Sequence, residues 1–154
     1  MILERYAECT EVGKRTLRIV NIFDDDRKQA SLLTLLGICY FHVGDSSHAL
    51  SYFNEAMREI NDNNLDDELK IIALVCQGFT WIEKGNYENA EDLTKEAIHL
   101  ANKIGDETGK KMAFENFTLI REAKRNEETP AMIAARIRTY LGVHGFVRGL
   151  LRRL

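Results

Sequence analysis

Apolar residues recur every three or four positions along most of the chain. The clearest runs cover residues 32–43, 71–82 and 90–101. This spacing places apolar side chains on one face of an α-helix, whereas a half-buried strand would alternate apolar and polar residues with period two. No segment alternates in that way for long, so the pattern predicts an all-α protein.

Glycine followed by Asp or Asn marks where the predicted helices end. These pairs stand at Gly44-Asp45, Gly85-Asn86 and Gly105-Asp106, each directly after an apolar-periodic run. Glycine enters the left-handed backbone conformation that ends many helices without a steric penalty. The pairs therefore predict helices that stop and are joined by tight turns.

One spaced pattern of residues occurs twice, with a period of 41. The first copy reads Leu33-x2-Leu36-Gly37-x2-Tyr40, Gly44-Asp45 and Ala49-x3-Phe53-x2-Ala56. The second reads Leu74-x2-Gln77-Gly78-x2-Trp81, Gly85-Asn86 and Ala90-x3-Thr94-x2-Ala97. A weaker third copy, 40 residues further on, reads Phe114-x2-Phe117-Thr118-x2-Arg121. Glycine within a helix costs about 1 kcal/mol relative to alanine, so Gly37 and Gly78 predict close approach of a neighbouring helix.

The pattern resembles the tetratricopeptide repeat, and its period of 40–41 is similar to the long-helix form of that family. The resemblance covers roughly residues 6–125 and implies an α-α superhelix of about three helical hairpins. Residues 1–129 would form the repeat array, including an N-terminal helix, and residues 130–154 an amphipathic capping helix of the same domain. We predict that the second helix of the third hairpin begins with Thr129 as N-cap and Pro130 in the first helical position.

The N-terminal segment matches the second helix of a hairpin. At an offset of 81, its pattern aligns with that of the second hairpin, through Tyr6, Cys9, Val12, Thr16, Leu17 and Val20 against Tyr87, Ala90, Leu93, Ala97, Ile98 and Ala101. Two interpretations stay open. The native protein opens with a capping helix, or this sequence is a piece of a longer solenoid.

In tetratricopeptide proteins the first helices of the hairpins line a concave groove that receives a peptide or a helix. The resemblance places candidate ligand-binding residues there: Leu35, Ile38, Phe41 and His42, then Val75, Cys76, Phe79 and Ile82, with Glu83 beside them, and finally Asn116 and Leu119. The first two helices are also apolar on their other face, and a helix that is apolar all round is normally buried. We therefore expect a partner helix or peptide, the chain's own C-terminal helix, or a second copy to cover the groove.

These expectations favour a protein-protein interaction module, an adaptor or scaffold that holds a partner helix or peptide in the groove. One alternative is a regulatory receptor in which a short signalling peptide binds near Asn116, whose amide offers both a donor and an acceptor. The same amide in a purely structural role would bond within the solenoid. Another alternative is a homo-oligomer joined through the groove or the tail. Phe79→Asp is expected to abolish partner binding while the repeat helices stay folded.

The C-terminal segment combines apolar and basic residues. On a continuous helix, one face carries Ile133, Ile137, Tyr140, Val147, Leu151 and Leu154, and the remaining arc carries Arg138, Arg148, Arg152 and Arg153. A solenoid cap explains this pattern, and basic amphipathic helices also bind membrane surfaces or acidic partners. Residues 131–154 carry a charge of +5, whereas residues 1–130 carry −8, which makes the repeat array a poor nucleic-acid binder.

Residue types for catalysis or metal binding do not cluster in the sequence. There is no phosphate-binding loop, nucleophile elbow or HExxH motif. We therefore expect neither enzymatic activity nor a cofactor or metal. Cys9, Cys39 and Cys76 are odd in number and dispersed, which favours three buried, unreactive thiols over a disulfide framework. No signal peptide or membrane span is visible, and a cytoplasmic location is the default expectation.

Overall fold

The structure, a computed structural model, describes residues 2–143, with side chains from residue 4 to residue 139. Within that range the chain forms seven helices and no strand: α1 (Ile2–Ile22), α2 (Asp26–Val43), α3 (Ser46–Asp62), α4 (Asp67–Glu83), α5 (Tyr87–Ile104), α6 (Glu107–Asn126) and α7 (Pro130–Val143). The all-α prediction is confirmed. The side chain of Tyr140 and the predicted tail residues Val147, Arg148, Leu151, Arg152, Arg153 and Leu154 lie outside what is described.

The glycine turns end the helices as predicted. The φ angles of Gly44, Gly85 and Gly105 are +87°, +75° and +72°, in the left-handed region where glycine has no steric penalty. The following residue then caps the next helix, since the side chains of Asp45, Asn86 and Asp106 each accept a backbone N–H three residues on, at 2.9–3.1 Å. Consecutive helices therefore lie side by side.

The helices stack as hairpins. α2 pairs with α3 and α4 pairs with α5, and each new first helix also contacts both helices of the preceding hairpin. The predicted mid-helix glycines make this close packing feasible. A Cβ on Gly37 would lie 2.6 Å from the ring of Phe53, and a Cβ on Gly78 would lie 2.6 Å from Nδ2 of Asn116. The prediction of an α-helical repeat superhelix is confirmed.

α1 lies against α2, where the second helix of a preceding hairpin would lie. A Cβ on Gly13 would lie 2.6 Å from the side chain of Leu36, so the two helices approach closely here. Cys9 and Cys39 are joined in a disulfide, with 6.3 Å between their Cα atoms. The prediction of three free thiols is therefore wrong for two of them. Distance in sequence was a poor guide, because packing of α1 on α2 places the two cysteines opposite each other.

α7 begins where predicted but packs elsewhere. Thr129 Oγ1 accepts the backbone N–H of Met132 at 3.3 Å, and Pro130 is the first helical residue. The predicted third hairpin, α6 with α7, does not form, since α7 packs mainly on α4. It runs from the α4–α5 turn, where Pro130 lies against Gly85, to the α2–α3 turn, where Arg138 lies near Gly44.

The residues of α6 explain why α7 leaves it. Where α2 and α4 carry a glycine and then an aromatic residue, α6 carries Thr118 and Arg121. A branched side chain hinders close approach of a second helix, and an arginine costs free energy to bury without a partner. α4 instead offers an apolar surface, and it is buried along most of its length at the centre of the core. Among the described residues, no helix is both long enough and apolar enough to cross a membrane.

Candidate functional site

Most of the predicted groove residues come together in one apolar cluster. We define the groove by the side chains of Ile38 and Phe41 on α2 and of Val75, Phe79 and Ile82 on α4. All five are buried and belong to a single core cluster, together with Cys76 and, at its edge, the half-buried Leu119. Leu35 is half-buried and is not part of that cluster. The frame carried over from the repeats therefore brings these side chains together.

The groove is covered by α7. Ile133, Ala134 and Ile137 are fully buried, both isoleucines belong to the same core cluster as the groove residues, and α7 packs mainly on α4. The opposite face of α7 is open, and Met132 there is 56% exposed. α7 is therefore amphipathic, as predicted, and its apolar face occupies the surface that was expected to receive a ligand.

Arg138 anchors α7 to both walls of the groove. Its Nε donates to the backbone oxygen of Phe41 at 3.0 Å, and its guanidinium lies 5.0 Å from the centroid of the Phe41 ring. Nη2 forms an ion pair with the Glu83 carboxylate, at side-chain exposures of only 25% and 15%. The positive charge also faces the C-terminal end of α2, where a helix dipole favours cations.

The helical pattern of the tail places Arg138 on the arc outside the apolar face and does not predict this role. A signal was nevertheless present. Glu83 is an acidic residue that closes an otherwise apolar run of groove positions, and a partly buried carboxylate requires a cation or donors nearby. Which arginine would supply that charge depended on where α7 docks, and no local pattern encodes that choice.

His42 lies beside the groove and faces α1. Its ring stacks on Tyr6, with 4.1 Å between the ring centroids and an interplanar angle of 3°. Its Nε2 is buried without a hydrogen-bond partner among the described residues. Burial and, second, the nearby charge of Arg138 lower the pKa of His42 to about 4. The imidazole is therefore neutral at pH 7 and does not attract an acidic ligand.

Cys76 and Asn116 are both buried in the interior of the protein. Burial raises the pKa of the Cys76 thiol to about 12, so it stays protonated and is a poor nucleophile. Asn116 is fully buried, and its Nδ2 donates to the oxygen of Val75 at 3.3 Å and to Oγ1 of Thr94 at 3.1 Å. Its amide thus bonds within the solenoid in this conformation and offers no surface to a peptide.

Phe79 is 1% exposed in the same cluster as Ile133 and Ile137. An aspartate there would place a charge in the core, so Phe79→Asp would disturb folding as well as the groove. The expected separation of binding from folding does not follow from this structure. For the described part of the chain, no group of three or more His, Cys, Asp or Glu side chains is arranged to hold a metal ion.

Comparisons with protein-family models, with curated proteins and with solved structures give no significant match to this chain.

Proposed function

We propose that this protein is a protein-protein interaction module of the tetratricopeptide type, which binds a partner helix in the groove in place of α7. The repeated residue pattern and the stacked hairpins support the type of module. One observation carries the choice of site. α7 already lies across the first helices α2 and α4, with its apolar face buried and Arg138 paired with Glu83. The groove therefore accommodates a helix of that chemistry.

The contacts of α7 indicate what a partner should carry. Ile133 and Ile137 are four residues apart, Ala134 fits the buried space between helices, and Arg138 follows directly. A competing helix would need two β-branched or comparable apolar residues at that spacing, a small residue after the first, and an arginine after the second. A strongly acidic peptide is disfavoured, because Glu83 stands in the groove.

Displacement of α7 is physically feasible. A 14-residue helix is marginal alone in water, so α7 gains most of its order from the groove. On its outer side, the ion pairs of Arg136 with Glu122 and Glu128 are partly exposed, and such pairs stabilise little. Tethering still gives α7 a high effective concentration, on the order of millimolar, so a partner must bind more tightly than α7 does or act when α7 is released.

A peptide-binding assay on the whole chain tests the groove. The probe is a fluorescein-labelled peptide of residues 129–143, and binding is followed by anisotropy. Ile137→Asp should release α7 and allow the peptide to bind at least about tenfold more tightly than to the unaltered chain. Met132→Asp places the same charge on the exposed face of the same helix and should bind as weakly as the unaltered chain. Equal affinity for all three chains would contradict the proposal.

A charge exchange identifies the contact. In the Ile137→Asp chain, Glu83→Arg should weaken peptide binding about tenfold or more, because Arg138 of the peptide loses its partner. A peptide with Arg138→Glu should recover the loss. The matched control is Glu88→Arg, which reverses an exposed glutamate on α5. Failure of the recovery would place the peptide elsewhere on the molecule.

The proposal assigns no catalytic role and no cofactor, and it favours a protein partner over a membrane surface. Ile133 and Ile137, two apolar residues of the predicted membrane-binding face, are used inside the groove. A cytoplasmic location stays a prediction from the sequence. The Cys9–Cys39 disulfide points the other way, because disulfides are rare in reducing compartments. Thiol trapping of the protein in intact cells would decide, and a fully oxidised pair would reject the cytoplasm.

A further inference from the structure

The outer face of α1 is apolar and open. Val12, Ile19 and Ile22 on this face are 62%, 54% and 77% exposed, and Phe23, in the turn directly after the helix, is 75% exposed. At the offset of 81, Val12 and Ile19 correspond to Leu93 and Leu100 of α5, which are half-buried against the core cluster. On α5 this face holds α4, the first helix of its hairpin. α1 thus presents the second-helix half of a hairpin, and no described helix lies in the first-helix position.

α6 presents the opposite half. Its Phe114, Thr118 and Arg121 stand where α4 carries Leu74, Gly78 and Trp81, the face that holds a second helix. Because α7 lies on α4 instead, Phe114 is 47% exposed. A cleft of about 550 Å³ opens along this face, lined by Glu91, Phe114, Phe117, Thr118, Ile120, Arg121 and Lys124. α6 is therefore a first helix, and no described helix lies in the second-helix position against it.

We infer that these two faces bind each other between copies of this chain. α1 of one copy docks on α6 of the next and forms with it a hairpin like that of α4 and α5. The contact repeats the packing of α5 on α4, so the superhelix continues from one copy into the next. Such a head-to-tail contact uses two different surfaces and does not close on itself, so it yields open chains.

Charge supports this orientation. Within the α4–α5 hairpin, Lys70 pairs with Glu96 at 3.0 Å and Asp67 pairs with Lys103 at 2.8 Å, so the start of the first helix faces the end of the second. The same antiparallel arrangement, carried over at the repeat offsets, brings Glu8 of α1 close to Arg121 of α6. Opposite charges therefore meet along this part of the contact.

One pair in the same register is unfavourable. Arg15 takes the place of Glu96, and Lys110 takes the place of Lys70. Two cations then face each other where the internal hairpin has an ion pair. The contact between copies is consequently weaker than the hairpin within a chain, and assembly is reversible and depends on concentration.

Two disrupted chains that complement each other test the inference. In sedimentation velocity on the oxidised protein, the unaltered chain should grow in mass with concentration without a plateau. Phe114→Asp and Ile19→Asp should each remain monomeric. Their mixture should form a 1:1 dimer and stop there, because one intact α1 face and one intact α6 face remain. Met132→Asp, which adds the same charge elsewhere on the surface, should assemble like the unaltered chain.

A variant designed to strengthen the contact avoids any doubt about folding. Lys110→Glu should lower the concentration needed for assembly about two- to fivefold, because it replaces a repulsion with an exposed ion pair to Arg15. Adding Arg15→Glu to the same chain should cancel the gain. An unaltered chain that is monomeric at every concentration would overturn the inference. So would a closed dimer, or Phe114→Asp and Ile19→Asp chains that each assemble alone.

Discussion

At the scale of single residues, His42 beside the groove links the stability of the protein to pH. His42 is 4% exposed and stacks on Tyr6, while its Nε2 lacks a hydrogen-bond partner in the described structure. A charged imidazole is costly in such a place, and Arg138 adds a repulsive charge. The folded protein therefore resists protonation of His42 until the pH is about 4.

We expect the free energy of unfolding to fall as the pH drops from about 6.5 to about 4, by at most about 3 kcal/mol. The unfolded chain takes up the His42 proton near pH 6.5, before the folded chain does, so this stability is complete above 6.5 and is lost on acidification. Urea titrations across this pH range measure it. His42→Phe should remove this dependence of the unfolding free energy on pH, and His99→Gln, at an exposed site, should keep it. An unchanged slope in His42→Phe would contradict the assignment.

At the scale of helices, local signals predicted the elements better than their partners. Gly44, Gly85 and Gly105 end helices through their own backbone conformation, so the sequence alone located the turns. Thr129 and Pro130 located the start of α7 for the same reason. The docking of α7 on α4 was not predictable from local signals, because it depends on which of two helices, α4 or α6, offers α7 the more favourable surface. Gly37 and Gly78 were informative about packing only because they repeat at the spacing of a hairpin.

The disulfide between α1 and α2 is an element-scale feature with a measurable effect. Cys9 and Cys39 are 30 residues apart in sequence, and closing a loop of that length stabilises the folded state by roughly 3–4 kcal/mol. We expect a reducing agent to lower the midpoint of thermal unfolding. The double variant Cys9→Ser, Cys39→Ser should start at the lower midpoint and ignore the reducing agent. Three free thiols in the denatured, unreduced protein would show that the bond is absent.

At the scale of the whole molecule, the sequence predicted the groove and the need to cover it, but not what covers it. α2 and α4 are apolar on more than one face, and that feature alone required burial on both sides. The choice among a partner, a second copy and α7 depended on tertiary contacts such as Arg138 with Glu83. Phe114 illustrates the converse. It fits the repeat frame of a buried position, and it is exposed because its helical partner lies elsewhere.

Loss of α7 should remain local. Each hairpin in a repeat protein is stabilised mainly by the helices next to it in the stack. For the α2–α3 hairpin these are α1 and α4, so its packing does not depend on α7. In native-state hydrogen exchange, Ile137→Asp should speed exchange of the α7 amides by about tenfold or more and leave the α3 amides protected. Met132→Asp should change neither. Faster exchange throughout the chain would instead make α7 an integral part of one cooperative core.

The buried thiol of Cys76 has a practical consequence. With Cys9 and Cys39 joined, it is the free cysteine of the molecule, and it is 5% exposed within the groove cluster. Since its pKa is about 12, the enclosed sulfur hardly reacts with an alkylating reagent. Alkylation of Cys76 then requires a transient opening of the surrounding structure, so the rate of alkylation depends on how often such openings occur. The alkylation rate of Cys76 in the unaltered protein thus reports how often the structure around it opens. Mass spectrometry can measure that rate without a further label.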